Sequence, residues 1–236
     1  LTVSRSGNSL VLKINDPNNP AATDQITIEG WDSEAYRIEQ VQFSNGTALT
    51  AAQLSDIAMT GTAGADTITL WSDATFADGR GGNDTIVSGN SNATIYGGEG
   101  NDTITDSDGS DTIDGGAGDD VITDQGSGTN VLRGGDGNDT ITFNYFASNT
   151  VEGGAGDDLI KVNLIQYSNS TYIHTFTGGA GNDRIQSAAS ADTYLFNRGD
   201  GQDTINDYGY GYSGGVVVGT DKLVFGVGIA VSDIVV

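Results

Sequence analysis

No cysteine occurs among the 236 residues, so no disulfide staples the chain and no thiolate can hold a metal. Proline is nearly absent, at two residues, while glycine reaches 36, a balance that disfavours long helices and suits a chain of turns. Positive charge is scarce: 9 Lys+Arg stand against 32 Asp+Glu, for a formal net charge of −23. Such a chain repels nucleic acid and anionic membranes, which excludes both as partners. It also resists its own compaction, so a positive component absent from the formula is expected. No apolar run approaches the roughly 20 residues of a membrane span. The opening LTVSRSGNSL has neither Met nor a signal-peptide apolar region, and the chain reads as a piece of something longer.

What is present is a period. GTAGADTIT (61–69), GRGGNDTIV (79–87), GGEGNDTIT (97–105) and GGAGDDVIT (115–123) are followed by GGDGNDTIT (134–142), GGAGDDLIK (153–161), GGAGNDRIQ (178–186) and the weaker RGDGQDTIN (198–206). Their starts lie 18, 18, 18, 19, 19, 25 and 20 residues apart. Each copy reads as a glycine turn over places one to six, then a short Thr-rich strand. Side chains alternate along a strand, so Ile68, Ile86, Ile104, Ile122, Ile141, Ile160, Ile185 and Ile205 stack into one apolar seam. The stretches between copies, such as SGNSNATIY (88–96) and DSDGSDTID (106–114), carry a second turn and strand, with Ile95, Ile113, Leu132 and Val151 on a second seam. One coil of about 18 residues therefore holds two turns and two strands, and successive coils pair in parallel. The fold class is all-β: a parallel β-roll (a β-solenoid) flanked by antiparallel β elements.

Glycine beside aspartate has a chemical reading. Ca²⁺ takes about six to eight oxygens from carboxylates and carbonyls. A glycine turn can aim carbonyls inward while the Asp at place six supplies charge, and two turns stacked one coil apart provide enough oxygens. A lone Asp-Gly turn is as readily just a turn; eight in register favour the metal.

Residues 61–206 resemble the RTX (repeats-in-toxin, haemolysin-type) calcium-binding β-roll. The resemblance implies that each ion lies between two turns. The earlier turn gives carbonyls from places two and four plus its Asp; the later one gives carbonyls from places one and three plus its Asp. Carried onto this chain, Thr62, Gly64 and Asp66 face Gly79, Gly81 and Asp84, and then Arg80, Gly82 and Asp84 face Gly97, Glu99 and Asp102. Next, Gly98, Gly100 and Asp102 face Gly115, Ala117 and Asp120, and Gly116, Gly118 and Asp120 face Gly134, Asp136 and Asp139. Gly135, Gly137 and Asp139 then face Gly153, Ala155 and Asp158, while Gly154, Gly156 and Asp158 face Gly178, Ala180 and Asp183. Gly179, Gly181 and Asp183 face Arg198, Asp200 and Asp203 last. Each internal Asp bridges two ions, and up to seven sites line one edge. Seven ions would bring about +14 and leave about −9, starting from −23. The substitutions at Thr62, Arg80 and Arg198 are expected to matter little, since only a carbonyl is used there. On the other edge only DSDGSD looks competent, through Asp106, Asp108 and Asp111, for at most one or two ions. The stretch 162–177 is expected to bulge from the roll and disturb the gap between the turns at 153 and 178.

The flanks read differently. Residues 1–58 suggest a hairpin around Gly7-Asn8, strands in DQITIEGW and YRIEQVQF, a turn in SNGTALT, and a short helix capped by Thr50. They resemble the haemolysin-type domain that accompanies RTX rolls. Residues 59–206 form the roll, and 207–236 resemble the start of another flanking segment, so that VSDIVV at the end would run on into LTVSRSGNSL, as in a tandem array.

Other residues weigh less. His174, the only histidine, is read as a loop residue of the insertion, and no nucleophile–base set is visible, so an enzyme is the least favoured class. Tyr208, Tyr210 and Tyr212 offer an aromatic platform for a sugar against the plainer reading of a glycine-rich loop. Trp31 and Trp71 could add partly exposed aromatic surface, against the plainer reading that they serve packing. The outward row Thr67, Thr85, Thr103 and Thr140, which could suggest ice binding, is interrupted by Val121, Leu159 and Arg184. The resemblance implies a calcium-dependent module of a large secreted bacterial toxin, adhesin or exoenzyme. It would sit outside the cell or at its surface, with calcium ions and a type I secretion apparatus as partners. A carbohydrate- or surface-binding adhesin module remains the alternative.

Overall fold

The computed structural model describes residues 1–15, 18–19, 21, 24–72, 74–144, 147–163, 172–188, 191–208 and 220–234. Two eight-stranded parallel sheets face each other, and the chain alternates between them. One sheet holds Thr67–Thr69, Thr85–Val87, Thr103–Asp106, Val121–Asp124, Thr140–Asn144, Leu159–Asn163, Arg184–Ala188 and Thr204–Tyr208. The other holds Phe76–Asp78, Thr94–Glu99, Thr112–Ala117, Val131–Asp136, Thr150–Ala155, Thr175–Ala180, Thr193–Phe196 and Lys222–Phe225. This is the expected parallel β-roll.

The register aligns both seams. Ile68, Ile86, Ile104, Ile122, Ile141, Ile160, Ile185 and Ile205 are partners in succession. Opposite them run Ala77, Ile95, Ile113, Leu132, Val151, Phe176, Tyr194 and Leu223. The isoleucines from Ile86 to Ile160 are fully buried, each stabilising the fold by about 1.5–3 kcal/mol. A one-residue slip in any coil would expose its seam residue and bury a Thr, so the period fixes the register.

The insertion is narrower than expected. Its two ends, 162–163 and 175–177, lie within strands Leu159–Asn163 and Thr175–Ala180, and residues 164–171 fall outside the described residues. Lys222–Phe225, in the segment expected to open a further flanking element, pairs in parallel with Thr193–Phe196 and adds a strand to the roll. The loop carrying Tyr210 and Tyr212 lies outside the described residues, as does the side chain of Tyr208.

Residues 1–59 cover the first coil. Strands Thr2–Ser6, Ser9–Lys13 and Gln25–Ile28 form an antiparallel sheet, turning at Gly7 with φ 58°. Gln40–Gln42 pairs with Ala48–Thr50, and helix Ala51–Ala58 follows with a Thr50/Gln53 capping box. Leu10, Leu12, Trp31, Leu54 and Met59 join Ile68, Leu70 and Trp71 in one apolar cluster. The Trp31 and Trp71 rings lie 6.5 Å apart and both are buried, not partly exposed, because they seal the seam end against the N-terminal unit. Arg5 stands 5.3 Å over the Trp71 ring and donates to the Thr69 carbonyl. A solenoid end exposes apolar cross-section, and this unit closes one such end.

Candidate metal centre

Every glycine turn sits on the same edge of the roll. From Arg80 onward, place two takes a left-handed conformation, as at Gly98 with φ 117°. At place one, as at Gly97, a Cβ would lie 2.3 Å from the Gly115 carbonyl oxygen and 2.4 Å from Asp102 Oδ2. Glycine is therefore required at the one place for its dihedral and at the other for the space beside the carboxylate. Arg80 adopts φ 71° at place two, so its departure from glycine is not the free substitution the sequence suggests.

Backbone carbonyl oxygens lie between successive turns. The place-two and place-four carbonyls of Arg80 and Gly82 face Gly98 and Gly100 of the following turn. The place-one carbonyls of Gly97, Gly115, Gly134, Gly153 and Gly178 face back onto the preceding turn. Place-three carbonyls from Glu99 to Asp200 accept the place-four N–H of the coil before at 2.6–2.8 Å, which leaves each a second lone pair.

The place-six carboxylates form a continuous ladder. Oδ1 of Asp84, Asp102, Asp120, Asp139, Asp158, Asp183 and Asp203 accepts the N–H of the preceding Asp in the series, at 2.7–3.1 Å. The ladder crosses the 25-residue interval without a break, since Asp158 N–H reaches Asp183 Oδ1 at 2.9 Å. Oδ2 of Asp84, Asp102, Asp120, Asp139, Asp158 and Asp183 is buried and has no hydrogen-bond donor. Burial, with neighbouring carboxylates adding to it, pushes Asp120 and Asp158 up to about 7 and Asp139 and Asp183 up to about 6. Buried acceptors without donors call for a cation. Among the described residues no three Asp, Glu or His side chains converge on one point, so a cage here draws on the main-chain oxygens as well.

The ends of the ladder differ. Asp66 Oδ2 accepts from Thr62 N–H at 2.6 Å and from Thr62 Oγ1 at 2.9 Å. At the last turn, Asp200 Oδ2 accepts from Asn197 N–H at 2.6 Å, and Asp203 is only partly buried.

The second edge carries a related ladder with different chemistry. Asp111 Oδ1 accepts from Ala93 N–H, Asn130 Oδ1 from Asp111 N–H, and Asn149 Oδ1 from Asn130 N–H. His174 Nδ1 accepts from Asn149 N–H at 3.2 Å, and Asp192 Oδ1 from His174 N–H at 2.8 Å. His174 lies outside the strands, just before Thr175–Ala180, yet it is fully buried, with its ring 5.0 Å from Phe143, and burial lowers its basicity. Asp106 Oδ2 and Asp111 Oδ2 are buried without donors, and burial pushes Asp106 up to about 7. Ser107 and Gly109 carbonyls face Gly126 and Gly128 of the next coil. Asp108 does not join them; it lies on the surface, accepting from Ser127 N–H and Oγ.

One set of functional side chains escaped the sequence reading although the signal was there. Place five is Asn or Asp in six successive turns: Asn83, Asn101, Asp119, Asn138, Asp157 and Asn182. Oδ1 of each of the first five accepts the N–H of the next, an outer ladder running opposite to that of place six. Asn130 and Asn149 left no comparable signal, since the type at that position changes from coil to coil.

Two sequence families match. The haemolysin-type calcium binding protein related domain matches residues 10–53. The RTX calcium-binding nonapeptide repeat (4 copies) matches residues 59–86, 87–122, 124–142, 146–162 and 175–205, together more than half of the chain. No curated protein and no solved structure matches it.

Proposed function

Because the chain belongs to the RTX calcium-binding nonapeptide repeat family, we propose that the gaps along its first edge hold a row of Ca²⁺ ions whose binding drives folding of the roll. The carrying observation is the file of six buried Oδ2 atoms without donors, from Asp84 to Asp183, each beside a glycine that leaves room for nothing larger than hydrogen. Calcium supplies the positive charge that these carboxylates lack. The chain's own part is to hold them ionised and in line: Oδ1 is tied to backbone N–H, Oδ2 is turned to the gap, and the glycines bring carbonyls against it. The cages need two neighbouring coils and do not exist in the unfolded chain, so binding free energy becomes folding free energy. The first gap is the weakest of the row, since Thr62 already satisfies Asp66.

A further ion fits the second edge between the turns at 106–111 and 125–130, a reading favoured by the Oδ2 atoms of Asp106 and Asp111. Isothermal titration calorimetry tests both. About six calcium ions should bind along the first edge, Mg²⁺ should not replace them because it demands tighter octahedral geometry, and Asp111→Asn should lower the count by one. Uptake of one ion or none, or equal uptake of Mg²⁺, would defeat the proposal.

The module then belongs to a large protein that leaves a bacterium through a type I secretion apparatus and folds outside. A chain this acidic stays extended while free calcium is low and collapses where calcium is abundant. No helix is long and apolar enough to cross a membrane among the described residues.

A further inference from the structure

The outer row at place five links five of the seven pairs of turns that flank a gap. Asn101 N–H donates to Asn83 Oδ1 at 3.0 Å, Asp119 N–H to Asn101 Oδ1 at 3.1 Å, and Asn138 N–H to Asp119 Oδ1 at 2.7 Å. Asp157 N–H donates to Asn138 Oδ1 at 2.9 Å, and Asn182 N–H to Asp157 Oδ1 at 2.8 Å. Here the acceptor belongs to the earlier coil, whereas at place six it belongs to the later one. Two adjacent residues of each turn are thus pulled in opposite directions along the roll. The place-four carbonyl, expected to face the gap, immediately precedes this pair in the chain. Asn101 Oδ1 and the Gly100 carbonyl oxygen lie 2.8 and 2.3 Å from the point a Gly118 Cβ would take.

The residue types obey a rule. No two aspartates are neighbours in the row, and where an Asp precedes an Asn the Asn side-chain amide adds a second bond, as from Asn138 to Asp119 and from Asn182 to Asp157. A neutral acceptor always separates two acidic ones because adjacent exposed carboxylates would repel across the coil spacing. On the second edge the same place is served by Asn92, Ser110 and Ser148, which accept from Ser110, Thr129 and Ile173 N–H. A neutral side-chain oxygen is therefore sufficient.

We propose that the place-five row, Asn83, Asn101, Asp119, Asn138 and Asp157, is a positioning element of the metal cages: it sets the spacing and tilt of neighbouring turns so that their carbonyls close on the ion and keep water out. This rests on the reading of the first edge as a calcium ladder. These residues are not ligands, so their loss should leave the number of ions unchanged while loosening each cage.

The test compares the wild-type chain with the triple variant Asn83→Ala/Asn101→Ala/Asn138→Ala and with the corresponding Ser triple. Calcium stoichiometry is measured by calorimetry, and Tb³⁺ luminescence lifetimes in H₂O and D₂O report how many waters each bound ion keeps. The Ala triple should retain the wild-type stoichiometry and shift the calcium midpoint upward about two-fold, four lost exposed bonds being shared over the row. It should also raise the mean hydration of bound Tb³⁺, and the Ser triple should restore both values. A midpoint shift with unchanged hydration would make the row ordinary glue between coils and overturn the inference. So would an Ala triple that matches the wild type, or a loss of ions, which would make these residues ligands. Should the Ala triple fail to order at saturating metal, Asn83→Ala alone gives the same comparison with one link removed. A wild-type chain that binds no calcium would end the calcium reading and this inference together, whereas wild-type binding with unchanged hydration in the variants ends only the inference.

Discussion

Excess EDTA at neutral pH should abolish the β signal of the roll in circular dichroism, and calcium should restore it where magnesium does not. Six carboxylates with a buried, donorless oxygen lie one coil apart from Asp84 to Asp183. Burying one unpaired ion costs several kcal/mol, so the row together outweighs the roughly 5–15 kcal/mol by which domains are usually stable. The isoleucine seam cannot offset this alone, because the same strands that stack it also bring the carboxylates into line. Protons offer a second, weaker route to neutralisation, and its sign is fixed. Burial raises Asp120, Asp139, Asp158 and Asp183 to about 6–7, above the ordinary carboxylate value near 4. The calcium-free folded form therefore binds more protons than the unfolded chain between those values, and its stability rises as pH falls from about 7 towards about 4. In EDTA, acidification from pH 7.5 to 5 should bring back part of the β signal, while in calcium the same change should raise the midpoint because protons compete for Oδ2. His174 works against the first effect: its basicity is lowered by burial, so protonation below its ordinary value near 6.5 favours unfolding. A full β signal in EDTA at pH 7.5 would mean that the carboxylates are not what calcium holds.

The seams and the first-edge turns were legible because a period of about 18 residues repeats both the Ile and the Asp at fixed offsets, and register follows from burial. The second edge was not legible in the same way. Its ladder changes from Asp111 to Asn130, Asn149, His174 and Asp192; any acceptor of the right reach can take a backbone N–H, so the residue type is free to drift. That is why His174 looked like part of a loop: its role is set by where the coil closes, not by a motif. The long interval between Gly153 and Gly178 looked as if it would break the metal ladder, yet Asp158 N–H still meets Asp183 Oδ1 across it. Arg80 taught the opposite lesson. A side chain there looked tolerable because only a backbone oxygen was expected to matter, yet the backbone is left-handed, φ 71°, a conformation that favours glycine.

Asp120→Asn should move calcium-bound and calcium-free stability in opposite directions. The second edge already contains this exchange: Asn130 keeps its Oδ1 on the N–H of Asp111 and turns its amide nitrogen to Asp124 Oδ2 at 2.8 Å. At position 120 the amide would likewise keep the bond from Asp102 N–H. Its nitrogen would replace the donorless Oδ2 that lies by Gly115, close to the Gly134 carbonyl. A neutral donor facing a carbonyl removes a buried charge and its repulsion from Asp139 and Asp102. Residual β signal in EDTA should therefore increase. With calcium the result reverses, because Asp120 borders two gaps and both lose a charged ligand. Affinity there should fall at least ten-fold, about 1.4 kcal/mol per ion, and the calorimetric count at moderate calcium should drop by about two. Asp120→Ala separates the contributions: it loses the ladder bond as well as the charge, so it should weaken the calcium-bound form without the gain in EDTA. If Asp120→Asn left the count unchanged, the carboxylate would not be shared between gaps. If it lowered order in EDTA, burial of charge would not be what keeps the calcium-free chain unfolded.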